Sequence, residues 1–280
     1  MDDEIFQLKP SLYGFGIDLK AAWRRMRGKG PTGPETVAVR FMQLFEAHGV
    51  QISQIPRLAP EIGLHNLVSP STLLPVLSNQ VVDSTCSLFG VRREWLEGRD
   101  ERMYEMRYSY KEPIQFFEEF LSLRQPAELV PVRAIATDKL LDSKSGRSQR
   151  IELVMVERVA WFGDELIERY APLCDGRDWA YEDHRLELKA IVRAYGSPVP
   201  LYQCSPAEME GLYHGSVVPR SLMRGSLLSQ PSLEDFCMSR HENWHAKELD
   251  ELDRVIELAR ELRVEVSKIG SGGTQETQSP

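Results

Sequence analysis

Apolar side chains recur every three to four residues over the first hundred positions and every second residue beyond about position 128, so the chain predicts helices followed by a sheet. Positions 35–48 place Val39, Met42, Leu44, Phe45 and Ala47 on a mostly helical period that stops at Gly49. Ser53 is expected to cap a second helix with Pro56 in its first turn, where a missing N–H costs nothing. Ser69-Pro70 opens a third in the same way, expected to run over 69–78. A fourth covers 77–89, with Leu77, Val81, Val82, Thr85, Leu88 and Phe89 on one stripe before Gly90, and a connecting helix lies near 113–123.

Three strands are predicted over 129–137, 151–162 and 166–173, the first two joined by a polar loop that holds Gly146. A helix at 179–195 and a strand at 199–204 follow. Because one full helix separates the strands, the fold class is α+β and not a doubly wound sheet. Ser232 is expected to cap a final helix in which Trp244, Leu249, Leu252, Ile256, Ala259 and Leu262 recur over two heptads. That is short for a coiled coil, so the helix is expected to pack on the body, with a homodimer as the alternative. The stretch 270–280 holds only Gly, Ser, Thr, Gln, Glu and Pro and is expected to be disordered. The boundaries that follow are a basic arm and linker over 1–34, a helical unit over 35–100, a connection over 101–127, an α+β sensor or assembly domain over 128–231, a C-terminal helix over 232–266 and a tail over 267–280.

Length and composition bound this picture. At 280 residues and 42% hydrophobic, the chain is long enough for about two domains with real cores. The N-terminus opens Met1-Asp2-Asp3-Glu4, and no apolar run approaches the ~18 residues of a spanning helix, so the expectation is a cytoplasmic protein with no export signal and no membrane contact. Cys86, Cys174, Cys204 and Cys237 are far apart and form no C-x-x-C pair, which predicts buried thiols, no metal and no cofactor. The net charge of -8 disfavours a chain that coats nucleic acid, but its distribution is uneven. Positions 1–100 hold 11 Lys and Arg against 11 Asp and Glu, so all of the net acidity lies beyond them. Within that neutral part, Lys20, Arg24, Arg25, Arg27 and Lys29 make the densest basic cluster in the chain, just before a linker at 30–34.

The run Phe41-Met-Gln-Leu-Phe-Glu-Ala-His-Gly-Val50, the stretch 51–60, and above all Leu88-Phe-Gly-Val91 and Trp95-Leu-Glu-Gly98, resemble the lambda-repressor-like helix-turn-helix family over about 37–98. The resemblance implies that 53–60 crosses a phosphate backbone and that 69–78 lies in the major groove of double-stranded DNA. Gln51, Ser53, Gln54 and Arg57, with Ser69, Ser71 and Thr72, would be the contacting side chains, and Lys20, Arg24, Arg25 and Arg27 would add backbone grip as an arm. The function expected on this basis is a DNA-binding transcriptional regulator with a C-terminal α+β domain for ligand sensing or assembly. Against base readout, 69–78 has no Arg, Lys, Asn or Gln, and Pro75 would cut its helix. An adaptor using a helix-turn-helix-like shell for protein contact is the alternative.

His241-Glu242-Asn243-Trp244-His245 spells the H-E-x-x-H pattern of zinc peptidases, with Glu261 or Glu265 as a third ligand, and makes a peptidase the third reading. Lys247 and Arg240 flank it where that helix should be apolar, so an exposed polar face is expected and no enzymatic activity is assigned. Trp161, Trp179, Tyr181, Tyr202 and Tyr213 are expected to form the core of the α+β part, with an aromatic-lined pocket for a small molecule as the alternative. His184 and His214 are read as surface or satisfied histidines.

Overall fold

The computed structural model describes residues 35–123, 131–162, 165–223, 225, 232–233 and 246–272. Helix α1, Glu35–Ala47, buries Phe41, Met42, Leu44 and Phe45 along one side. It ends at Gly49, where φ is +83° and an added Cβ would fall on the Arg220 guanidinium that donates to the carbonyl of His48. A 3-10 turn, Ile52–Gln54, leads into the four-residue helix α2, Ile55–Leu58. Its start differs from expectation: Ser53 sits inside the turn, and the preceding Gln51 N–H donates to Gln54 Oε1 at 2.8 Å.

Ser69 does cap helix α3, Pro70–Leu73, accepting the N–H of Thr72. The helix expected over 69–78 is nevertheless one turn long. Pro75 stands in the 3-10 turn Leu74–Val76, since proline offers no N–H and its ring crowds the preceding turn. Helix α4, Asn79–Phe89, opens at Ser78 and closes at Gly90 with φ +68°. Helix α5, Arg93–Leu96, buries Trp95 and Leu96. Helix α6 is Pro113–Ser122.

The strands are β1 Val132–Ala136, β2 Arg150–Phe162, β3 Glu165–Pro172, β4 Arg177–Asp178 and β5 Leu201–Gln203. They form one sheet in the order β3-β2-β1-β5, with β4 also on β2, and only the β1–β5 pairing is parallel. Helix α7, Glu182–Tyr195, precedes β5. Helix α8, Pro206–Tyr213, follows it, opened by a Ser205–Glu208 capping box that had given no expected helix. The α+β class is what the chain adopts.

Both faces of the sheet are covered, which is why β2 is buried through seven consecutive residues instead of alternating. Ile135, Val154, Val156, Tyr170 and Tyr202 share a core with Phe41, Phe45 and Phe89 of the helical segment and with Met209 and Leu212 of α8. Val132, Ala134, Leu153 and Met155 share the other with Phe116, Phe117, Leu188, Ile191, Ala259 and Leu262. The apolar core is therefore continuous from the N-terminal helices into the sheet. The expected all-aromatic core is only partly formed: Trp179 and Tyr202 are buried, but Trp161 and Tyr181 are 58% and 54% exposed, each lying near the end of its strand or turn.

Helix α9, Ala246–Gly272, packs on α7 and α6. It does not begin at Ser232, whose backbone bridges to Pro200 while the Leu233 N–H donates to Val199 O at 2.8 Å, so that segment is extended beside the sheet. The helix also runs past 266 through Gly270, because each added residue of an existing helix gains a backbone bond. Among the described residues no helix is long and apolar enough to cross a membrane. Cys86, Cys174 and Cys204 are buried free thiols.

Candidate functional site

The side chains expected to touch DNA are dispersed in what they do. Lys20, Arg24, Arg25 and Arg27 lie outside the described residues, as does the H-E-x-x-H stretch at 241–245. Gln51, Ser53 and Arg57 are exposed, the first two at the start of the short 52–58 turn and helix and Arg57 in its last turn. Gln54 is half-buried, with its amide oxygen taken by Gln51. Arg57 lays its guanidinium over the Phe162 ring, 4.3 Å from the centroid, so it reaches toward the sheet. Ser69, Ser71 and Thr72 form one local network: the two serine hydroxyls lie 2.9 Å apart, and Thr72 Oγ1 donates to the carbonyls of Asn66 at 3.0 Å and Ser69 at 2.9 Å. Those groups cap their own backbone.

Charge adds to this. Positions 35–100 hold five arginines and no lysine against seven carboxylates. Arg40 is buried on the carbonyls of Trp95 and Asp100, and Arg92, Arg93 and Arg99 are paired with carboxylates. The same surface exposes apolar groups: Ile52 is 43%, Leu64 58% and Val68 65% accessible.

A polar pocket of about 390 Å³ opens at the far end of the sheet, where β2 begins. Alternation along the strand puts Arg150 and Glu152 on one face. Glu152 is 2% exposed, and its two oxygens accept the N–H groups of Asp175 at 3.2 Å and Gly176 at 2.5 Å. Gly176 permits this turn with φ +62°, and a Cβ there would stand 3.3 Å from the Tyr213 ring on the pocket wall. Burial, reinforced by the neighbouring Asp175, pushes the Glu152 carboxyl up to about 8, so it carries its proton at neutral pH.

Asp175 is held differently. It accepts the backbone N–H of Tyr110 at 3.0 Å and both the N–H and hydroxyl of Ser109. Arg177 lies beneath, 1% exposed, its Nη2 3.3 Å from Asp175, 3.6 Å from Glu187 and 3.1 Å from Ser109 O. At the rim Arg150 pairs with Glu210 at 2.5 Å. His184 accepts the Asp178 N–H on Nδ1 at 3.0 Å, and its ring meets Tyr110 and Tyr181 edge-on at 4.7 and 4.6 Å. Burial lowers its pKa, so the imidazole is neutral with its proton on Nε2. It is a wall of the pocket and a satisfied histidine, one of the two outcomes expected of it, and His214 is exposed beside Glu210, the other.

With its acceptor nitrogen occupied, His184 offers a donor, Glu152 a protonated carboxyl, and Tyr110 and Tyr213 ring faces: this is equipment for holding a polar solute by hydrogen bonds. Sequence reasoning missed Glu152 and Tyr110, named Tyr213 for an aromatic-lined pocket, and read His184 only as a surface or satisfied histidine. The visible signal was Glu152, a lone carboxyl inside the apolar run Ile151-Glu-Leu-Val-Met-Val156. No family profile, curated protein or solved structure matches the chain.

Proposed function

We propose that this chain is a regulatory binding protein whose α+β part takes up a small polar ligand in the Glu152–His184 pocket and whose helical part meets double-stranded DNA through the 51–72 surface. The observation that carries the two-part reading is Met209. It lines the pocket and belongs to the same core as Phe41, Phe45 and Phe89 of the helical segment, so displacing it is felt by the helices. The DNA half rests on the family resemblance, on the exposed Gln51, Ser53 and Arg57, and on the basic cluster at Lys20–Lys29.

A second reading, contact with a protein in place of DNA, is favoured by Ile52, Leu64 and Val68, apolar and exposed on the surface that would face the duplex. One titration separates them. Full-length chain and random duplex DNA should show log affinity falling linearly with log salt, and replacing Arg24, Arg25 and Arg27 by alanine should make the slope shallower by about one unit per lost phosphate contact. A chain that binds no duplex at low salt supports the protein-contact reading and removes the DNA one.

A further inference from the structure

The walls of the Glu152–His184 pocket are out of balance between donors and acceptors. Each lining carboxyl has both oxygens occupied by the protein. Glu152 accepts the N–H groups of Asp175 and Gly176, while Asp175 accepts from Ser109 and Tyr110 and pairs with Arg177. Glu210 takes Arg150 on Oε2, and its Oε1 lies 3.1 Å from His214 Nε2. What Glu152 has left to offer is its own proton, because burial keeps it un-ionised at neutral pH.

The unoccupied groups on the same walls are donors. His184 is half-buried and accepts the Asp178 N–H on Nδ1, so its one proton sits on Nε2 at the far end of the ring. That N–H has no partner among the described residues and, unlike Arg177 Nη1, is not sealed from solvent. Arg150 gives Nη1 to Glu210, and its half-exposed side chain leaves the rest of the guanidinium at the opening. The Tyr110 and Tyr213 hydroxyls, likewise without partners among the described residues, can donate as well. Strand register brings the two nitrogen donors together. Arg150 stands opposite Asp178 across the β2–β4 ladder, where partner Cα atoms are about 5 Å apart, and Asp178 anchors His184 at 3.0 Å. Tyr110 and Tyr181, edge-on at 4.7 and 4.6 Å, fix the His184 ring on its other sides.

We infer that the pocket takes up a small organic acid, its carboxylate held between His184 Nε2–H and the Arg150 guanidinium and its carbon body lying against Met209 and the rings of Tyr110 and Tyr213. This rests on the Glu152 pocket being a ligand site and narrows the ligand to one charge. An amine would meet no open acceptor among the lining carboxyls and would leave the free N–H groups unpaired as they lose water. A carboxylate brings two oxygens to two donors, one of them cationic, which makes the stronger kind of hydrogen bond. Asp175 and Glu210 each face an arginine and Glu152 is uncharged, so the walls oppose a negative guest little. A volume of about 390 Å³ holds an acid with a single ring.

Calorimetric titration of the full-length protein with benzoate, benzamide and benzylamine, one flat body carrying a carboxylate, a neutral amide or an ammonium, tests it. Benzoate should bind saturably and at least about tenfold tighter than benzamide, as for hydrogen bonds to a charged group, and benzylamine should not bind. Arg150→Met keeps the stem, should melt like the parent because the rim pair is exposed, and should weaken benzoate about tenfold while changing benzamide less. His184→Phe keeps a ring against Tyr110 and Tyr181 and should weaken both, since it removes the Nε2–H. If that variant unfolds, Arg150→Met decides alone. Benzamide or benzylamine binding more tightly than benzoate overturns the carboxylate and leaves the pocket as a ligand site. Binding of none of the three overturns both. Benzoate binding that is unchanged in Arg150→Met and in a folded His184→Phe overturns the inference equally, since the acid then sits elsewhere.

Discussion

Asp175 holds Ser109 at two points, taking its backbone N–H on Oδ1 at 2.5 Å and its hydroxyl on Oδ2 at 2.8 Å. The same hydroxyl accepts from Arg177 Nη2 at 3.1 Å. This pair ties the loop before α6 to the turn between β3 and β4, and thereby fixes the floor of the polar pocket. Residues 66 positions apart in sequence thus share one buried network.

Removal of Asp175 leaves Arg177 buried without its closest counter-charge. Asp175→Ala should lower stability by about 3–5 kcal/mol, as for breaking a buried pair from one side. Urea denaturation at neutral pH measures it. A loss within the range of a surface substitution, about 0.5 kcal/mol, would show that Arg177 does not need Asp175.

Two buried groups give stability opposite slopes with pH. The folded Glu152 carboxyl titrates near 8 against an ordinary 4.5, so its contribution is complete below about 4.5 and is lost as pH rises toward 8. His48 is lowered to about 4 from 6.5, chiefly by burial; its contribution is present above about 6.5 and is lost as pH falls toward 4. It donates from Nδ1 to Leu44 O at 2.8 Å and lies 4.4 Å from the Phe89 ring centre. Melting temperature against pH should therefore fall on both flanks. Glu152→Gln, which keeps the shape of the protonated acid, should flatten the alkaline flank alone, and an unchanged alkaline flank would remove Glu152 as its cause.

Trp95 is 7% exposed, and the Arg40 guanidinium lies 5.3 Å from its ring centre and donates to its carbonyl. Trp95→Ala should cost about 3–5 kcal/mol in thermal melts of the full chain. An isolated 35–100 fragment should show no cooperative melt, because the His48 ring that packs on Phe89 also meets Tyr170 of the sheet, and all the helical core residues share their cluster with the sheet. Cooperative melting of that fragment would show that the helical segment holds a sufficient core of its own.

Local signals were legible wherever neighbouring residues alone decide the structure. Ser69-Pro70 capped a helix, Gly49 and Gly90 ended two, and β1, β2 and β3 fell within a few residues of their expected limits. Caps and turns depend on contacts three or four residues apart, which a single sequence displays. Ser53 and Ser232 had the right chemistry for caps, but their surroundings decided otherwise: Gln54 served the N–H of Gln51, and extended pairing with Pro200 claimed Ser232.

The sequence by itself determined an α+β chain whose helical first part precedes its sheet, because hydrophobic period is a property of consecutive residues. Only the tertiary structure decided that the two parts share one core, that Arg57 reaches over Phe162, and that Glu152, Asp175, Arg177 and His184 meet. Burial and polar pairing at those sites come from segments brought together across the sheet. A carboxyl such as Glu152 has no unusual chemistry until a neighbouring layer takes it out of water.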